Sequence, residues 1–501
     1  MRQLEIPCIV RRIAAVAFAT AVAICLVAAA QCGLNRNVAA TPAPTGGNPC
    51  PLSPISVSSR IPHDAATTSQ AYFDCFAWQE FIGANWDADP RHAGAPDPSV
   101  SPSAFGRPMD FAPPVFETYA DALDVFLPGA EPPHPWGSVD PSQCAVQHMA
   151  AGPGRRLLRM SSIVAPGFQG MSGVNQAFPG TGPGWLADRD GTIVWYQILM
   201  NRDEYDYIAR KQYYNADKQL QAITSDQRID LPEGIPGGTL GAIEIKAAWL
   251  PVADSQRQKR YRMQNAVVLD ENGRCHTVAV GLIALHIIHK TESQPTWVWS
   301  TFEQVDNAPD AGATPSSQFV FYRPSCQPSP IPASCMLGKN GAQTSCTSNT
   351  PPAYMPDSYF AKGATCPVYP IQVVHDNPMD PAVASINIYA QSLVRAANPR
   401  SVYQYYRLVN VLWSSNSTDP NAGASAPVAP VIVYGLTPPG SQPVANAVTE
   451  TYVQNMTCLS CHARAKIAKA QDAPPEWKPY FSDFSFLMAQ AHTPFPTAEP
   501  R

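Results

Sequence analysis

Charged residues are scarce in this chain. They make up 15% of its 501 residues, against about 25% in an average soluble protein. The formal net charge is −5, and no stretch concentrates lysine and arginine, so a nucleic-acid partner is not expected. Apolar residues account for 45% of the chain, which excludes a largely disordered protein.

Several common motifs are absent from the sequence. It contains no internal repeat, no P-loop, no glycine-rich dinucleotide fingerprint, no nucleophile elbow and no zinc-protease helix motif. Proline is abundant instead, with 53 residues. Because proline removes a backbone donor and breaks helix interiors, this composition argues against a long helical bundle or coiled coil.

The amino terminus has the pattern of an export signal. Arg2, Arg11 and Arg12 precede an uncharged apolar run, 13–30, which ends in three alanines. We therefore expect residues 1–30 to be a secretory signal peptide. A retained anchor that tethers the chain to a membrane is the alternative, because the run approaches the about 20 residues that span a bilayer. The expected location is the periplasm or another extracytoplasmic compartment.

Cysteine usage supports export. Thirteen cysteines are many for a cytosolic protein and ordinary for an exported one. Two cysteines lie in the signal, two belong to the motif described below, and the role of Cys32 is uncertain. The other eight are Cys50, Cys75, Cys144, Cys275, Cys326, Cys335, Cys346 and Cys366. Up to four disulfides are expected among them, with bridges inside the cluster from Cys326 to Cys366. The remaining pairing stays open.

The middle of the chain predicts a β-rich α+β body with an antiparallel sheet or sandwich, at 63–440. A linker at 31–62 precedes it, and a loop pinned by disulfides lies at 306–370. Extended segments are predicted at 192–200, 241–250, 261–269, 275–289, 296–303, 401–413 and 427–433. Helices are predicted at 72–86, 118–126, 202–213 and 382–395, with Asn201 capping the third.

One motif carries chemistry: Cys458-Leu459-Ser460-Cys461-His462. Two cysteines three residues apart can each form a thioether to a haem vinyl group, and the adjacent histidine then lies under the iron. The pattern is typical of c-type haem attachment. The alternatives are a structural disulfide, a redox-active cysteine pair and a zinc site. Zinc would need about two further ligands, and nearby only His492 is available.

On this motif, and on the helical character predicted for 448–457, the segment 441–501 resembles a small all-α mono-haem cytochrome c tail. The chain also resembles exported bacterial proteins that join such a tail to a β-rich body of unknown role. The resemblance implies one covalent haem c per chain, with Cys458 and Cys461 as anchors and His462 as axial ligand to the haem iron. Met488 or His492 would be the distal ligand, with core filling the alternative for Met488.

The resemblance implies an exported cytochrome that transfers electrons to a redox partner protein. It could be a carrier or the redox arm of a haem-dependent oxidoreductase with a small-molecule substrate, so enzymatic activity is open and no catalytic residue is assigned. The haem is expected to pack against the body, with Phe481, Phe484 and Phe486 closing part of its pocket. The alternatives are a haem-based sensor or ligand-binding module, and a disulfide-stabilised structural or binding protein without haem.

Other polar residues are predicted to have structural roles. His286 and His289 lie at odd spacing in one strand, so they should face opposite sides of the sheet and share no metal. Trp297 and Trp299 are expected in the sheet core. The cluster of His375, Asp376 and Asp380 beside prolines is expected to be a solvated loop.

Overall fold

The structure is a computed structural model. It describes residues 48–66, 69–138, 156–158, 176–177, 183–225, 228–269, 275–313, 319–335, 346–357, 364–414, 432–434, 444–470 and 480–495. The predicted signal peptide at 1–30 and most of the linker at 31–62 lie outside these ranges. Within them, no helix combines the length and apolarity needed to cross a membrane.

One large sheet organises the chain, and it has nine strands within the described ranges. They are β1 Ala120–Asp121, β2 Arg156–Leu158, β3 Trp195–Met200, β4 Ile243–Pro251, β5 Met263–Leu269, β6 Cys275–Thr291, β7 Gln294–Gln304, β8 Tyr406–Ser414 and β9 Ile432–Tyr434. The spatial order is β1-β3-β4-β6-β7-β8-β9, with β5 on the first half of β6 and β2 beside β5. All pairs are antiparallel except β2 with β5. The predicted β-rich body with an antiparallel sheet is thereby confirmed.

The length of β6 explains this branching. Its 17 residues reach beyond any single neighbour, so its first half pairs with β5 and its second half with β7, while β4 runs along the opposite side. Its side chains are almost all buried from Val280 onward. A strand covered on both faces needs no polar alternation, which is why its sequence is a nearly continuous apolar run.

The helices are mostly short. They are α1 Gln70–Ala84, α2 Ala122–Val125, α3 Arg202–Lys211, α4 Ala216–Thr224, α5 Ser255–Gln258, α6 Pro381–Ala397 and α7 Cys458–His462. Asn201 caps α3 as predicted, and its side chain accepts a hydrogen bond from the backbone N–H of Glu204. Helix α1 is buried almost throughout, which is why its apolar residues surround the helix.

Helices α1 and α6 cover one face of the sheet. Phe73 of α1 stacks on Trp413 of β8, with ring centroids 4.4 Å apart. The indole N–H of Trp78 donates to Asn387 Oδ1 of α6 at 2.9 Å, and Asn387 donates to the backbone of Leu408 in β8. These contacts tie the two helices to each other and to the sheet.

The carboxyl-terminal segment differs from its prediction. Residues 448–457 form turns rather than a helix. The side chain of Thr451 bonds to the backbone of Ala447, and Asn446 accepts from the N–H of Val448. Such local bonds compete with helix formation, and threonine and valine also restrict the helical rotamers. The described part of 441–501 is therefore not a small all-α domain.

Three disulfides lie within the described residues: Cys50–Cys75, Cys326–Cys346 and Cys335–Cys366. Two of them are inside the predicted cluster. Cys144 lies outside the described ranges. These bridges fit an extracytoplasmic location, because disulfides persist in oxidising compartments.

Candidate functional site

The sheet face opposite α1 and α6 carries the cysteine motif. The two histidines of β6 show how the faces divide. His289 Nδ1 lies 2.7 Å from Glu80 Oε1 of α1, whereas His286 Nε2 lies 2.9 Å from Glu450 Oε1 in the carboxyl-terminal segment. The prediction that these histidines face opposite sides of the sheet is confirmed.

The motif forms the five-residue helix α7. Both of its thiols are free and half-buried. Leu459 is buried, and Cys458 packs against the same apolar cluster, which includes Trp299 of β7 and Leu487. Burial raises the pKa of the Cys458 thiol well above its usual range and raises that of Cys461 as well. Neither thiol is therefore an activated nucleophile.

His462 is held from three sides. Its Nδ1 lies 2.8 Å from the backbone oxygen of Phe484, which fixes the orientation of the ring. The Trp299 ring lies 4.7 Å away and the Phe486 ring 4.9 Å away, measured between centroids. Burial lowers the pKa of His462 to about 4, so the ring is neutral at pH 7.

A polar network lies beside α7. Glu450 bonds to His286, and its Oε1 is 3.9 Å from Lys246 Nζ. Burial acts to raise the pKa of Glu450, but His286 and Lys246 outweigh it and lower that pKa to about 2. Burial lowers the pKa of Lys246 to about 8. The network compensates charge inside the protein and fixes the turns before α7 to β4 and β6.

The two candidate distal ligands lie in different environments. Met488 is fully buried, and its sulfur is 3.9 Å from Gln219 Nε2, in the packing between α4 and the carboxyl-terminal segment. His492 is exposed and bonds through its backbone oxygen to the N–H of Ala216. The structure thus places Met488 in the apolar core.

The cytochrome resemblance is wrong. No group of three or more His, Cys, Asp or Glu side chains within the described ranges is arranged to hold a metal ion. The helix expected before the motif is replaced by turns, and the motif itself is packed into the sheet face. The expectations of haem, iron and electron transfer are not supported. Covalent attachment at Cys458 and Cys461 stays a prediction from sequence, and the mass of the denatured chain tests it.

A second site lies at the other end of β7, in what we call the Glu303 cleft. Its empty volume is about 360 Å³, including its open mouth. It is lined by Glu303, Asp310, His375, Asn377, Pro378, Met379, Asp380, Arg407, Val409, Asn410 and Ala445. Strands β7 and β8 form its floor, and the segment before α6 forms its wall.

Glu303 is the central group of this cleft and is 1% exposed. Its Oε1 accepts from Arg407 Nε at 2.8 Å, and Arg407 Nη2 and His375 Nε2 lie 2.7 and 3.0 Å from the same oxygen. Burial acts to raise the pKa of this carboxyl, but His375 and Arg407 outweigh it and lower that pKa to about 2. The side chain is therefore ionised at pH 7. Its second oxygen, Oε2, is buried and has no hydrogen-bond partner among the described residues.

The wall of the cleft is not the solvated loop that the sequence suggested. His375 is 5% and Asp380 7% exposed, although Asp376 beside them is exposed as predicted. The backbone N–H of His375 donates to Pro309 and that of Val373 to Phe321, so the segment lies against the end of β7 and is covered. Asp380 also caps α6 by accepting from the N–H of Ala382 at 2.8 Å.

The wall is joined to the disulfide-pinned loop. Asn349 exchanges two side-chain hydrogen bonds with the backbone of Val374, and Gln372 exchanges two with the backbone of Arg323. Asn349 follows Cys346 of one disulfide by three residues, and Arg323 precedes the other half, Cys326, by three. The Cys326–Cys346 disulfide thus helps to fix the irregular chain that carries the wall.

Sequence reasoning missed Glu303 and Arg407 as site residues. They lie 104 residues apart and meet only because β7 pairs with β8. One signal was available: Glu303 is the only charged residue of the extended segment predicted at 296–303, and buried carboxylates are almost always paired. Nothing local in the sequence identifies the partner.

The fold and the two sites define a disulfide-stabilised α+β protein with one antiparallel sheet, a packed cysteine motif on one face and a polar cleft at the end of β7. No family model, curated protein or solved structure matches the chain.

Proposed function

We propose that this protein is a ligand-binding module of the periplasm or another extracytoplasmic compartment, and that it binds a small molecule in the Glu303 cleft. The observation that carries the proposal is the buried, ionised Glu303, which lines the cleft and whose Oε2 has no hydrogen-bond partner among the described residues. Leaving a buried charged acceptor unsatisfied costs at least about 1–3 kcal/mol, which a ligand donor would recover.

The construction of the cleft supports this proposal. Convergent polar groups beside apolar side chains in a concave site are the usual features of small-molecule sites. The floor is a pair of β-strands, and the wall is tied to disulfide-pinned chain. A site built on rigid elements loses less conformational entropy when a ligand binds, so more of the interaction free energy appears as affinity.

A thermal-shift screen of the exported chain against a library of small metabolites tests the proposal. A ligand at 100 times its dissociation constant should stabilise the fold by about 2.7 kcal/mol. Ala445→Phe places a ring in the cleft and should abolish the shift. Leu52→Phe is the matched control, because Leu52 is 70% exposed and lies outside the lining. Shifts that survive Ala445→Phe, or no shift from any compound, would refute binding in this cleft.

A further inference from the structure

We propose that the ligand of the Glu303 cleft is an aliphatic primary amine, which donates its ammonium hydrogens to Glu303 Oε2. The inference rests on the function proposed above and identifies the chemical class of the ligand. It is argued from the charge, donors and shape of the lining.

The charge of the lining favours a cation. Three carboxylates, Glu303, Asp310 and Asp380, line the cleft, against two basic side chains, Arg407 and His375. Arg407 is already engaged, since both its Nε and its Nη2 contact Glu303 Oε1. An anionic ligand would meet an excess of like charge with no uncommitted arginine or lysine in the described lining.

The hydrogen-bonding groups call for a donor. Glu303 Oε2 can only accept, because its carboxyl is ionised. Asn377 also lines the cleft and carries an amide oxygen that can accept, while its Nδ2 donates to the backbone oxygen of Gln454 at 2.6 Å. An ammonium group carries three donors and no acceptor, and its hydrogen bonds to carboxylate are charge-assisted.

The shape of the cleft selects a small head group on an aliphatic stem. The cleft admits little more than one group of about the size of a water molecule. Pro378, Val409 and Ala445 supply apolar surface beside it. A branched or guanidinium head group would be too large for this space, whereas an ammonium group fits, with its carbon chain at the open mouth beside the apolar side chains.

Isothermal titration calorimetry of the full mature chain with n-butylammonium chloride tests the inference. 1-Butanol and sodium butyrate are the neutral and anionic probes of similar size. We expect heat of binding from the amine alone. Glu303→Gln keeps the shape but removes the charge, and should weaken amine binding about tenfold or more.

Because Glu303→Gln also alters the contacts of Arg407 and His375, its fold is checked by circular dichroism, and Ala445→Phe gives a second variant that leaves Glu303 intact. Loss of amine binding in Ala445→Phe but not in Leu52→Phe supports the inference even if Glu303→Gln fails to fold. Butanol or butyrate binding in place of the amine overturns the inference and leaves the proposed function standing. Equal amine affinity in wild type and folded Glu303→Gln, or binding of potassium or calcium in place of the amine, also overturns it.

Discussion

At the scale of residues, the protein places many charges inside and pairs them. Arg262 is 4% exposed and Glu117 fully buried, and the two side chains meet at 3.0 Å. The guanidinium also donates to the backbone oxygens of Asp110 and Ala112. Each side chain of such a buried pair depends on the other, because water cannot reach the charge that remains when its partner is removed.

Removing Arg262 should therefore be costly. We expect Arg262→Met to lower the free energy of unfolding by about 3–5 kcal/mol, because it leaves Glu117 buried without its partner. Arg260→Met is the matched control: Arg260 pairs with Asp306, but its side chain is 38% exposed, so the loss should be about 0.2–1 kcal/mol. Urea denaturation followed by tryptophan fluorescence measures both. Equal losses in the two variants would contradict this account of the buried pair.

At the scale of elements, the disulfides have a role that the sheet cannot supply. The segment between β7 and α6 has no long helix or strand within its described parts, and hydrogen bonds from Asn349 and Gln372 connect it to the cleft wall. Cross-links in such chain act chiefly by restricting the unfolded state.

Replacing both Cys326 and Cys346 by serine should lower the free energy of unfolding by about 3–4 kcal/mol, from the closure entropy of a loop of 20 residues. It should also weaken ligand binding, because the wall loses part of its support. Cys50 and Cys75, replaced together, are the control pair: they close a loop of similar length, 25 residues, that contributes no lining residue. Calorimetric titration and urea denaturation separate the two effects. Equal weakening of binding by both pairs would contradict a specific role for Cys326–Cys346.

The sheet could be predicted from sequence, but the cleft and the carboxyl-terminal segment could not. The apolar run of β6 and the cap at Asn201 are local signals, and both elements form where they were expected. The turns at 448–457 depend on packing against β4 and β6, which overrides helical character in so short a stretch. The cleft joins Glu303, His375 and Arg407, whose proximity is set by strand pairing rather than by spacing in the chain.

At the scale of the whole molecule, two sets of buried carboxyl groups give the free energy of unfolding opposite dependences on pH. Burial raises the pKa of Asp74 and of Glu244 to about 7. Glu303 and Glu450 have a pKa of about 2 because of their basic neighbours, which outweigh burial. A raised carboxyl pKa favours the folded state as pH falls from 7 towards 4, whereas a lowered one favours it only above its unfolded value of about 4.3.

We therefore expect the free energy of unfolding to rise as the pH falls from 7 to about 5, because Asp74 and Glu244 take up protons in the folded state. Below about 4.5 it should fall steeply, because Glu303 and Glu450 must be protonated on unfolding. His462, with its pKa lowered to about 4, opposes the rise between pH 6.5 and 4 but is a single group. Each pKa unit corresponds to about 1.4 kcal/mol. Urea midpoints measured from pH 3 to 8 test this, and a steady decline from pH 7 downward would contradict it.

Native and denaturing mass spectrometry tests most directly the central claim that the protein binds a small molecule in the Glu303 cleft. The mature chain is recovered from the extracytoplasmic fraction of a host with intact cofactor-attachment machinery. We expect a small non-covalent adduct in the native spectrum, lost on denaturation and absent from Glu303→Gln, and a denatured mass equal to that of the polypeptide with its disulfides. A porphyrin adduct that survives denaturation and maps to the peptide containing Cys458 and Cys461, with nothing bound in the cleft, would contradict the account and restore the haem interpretation.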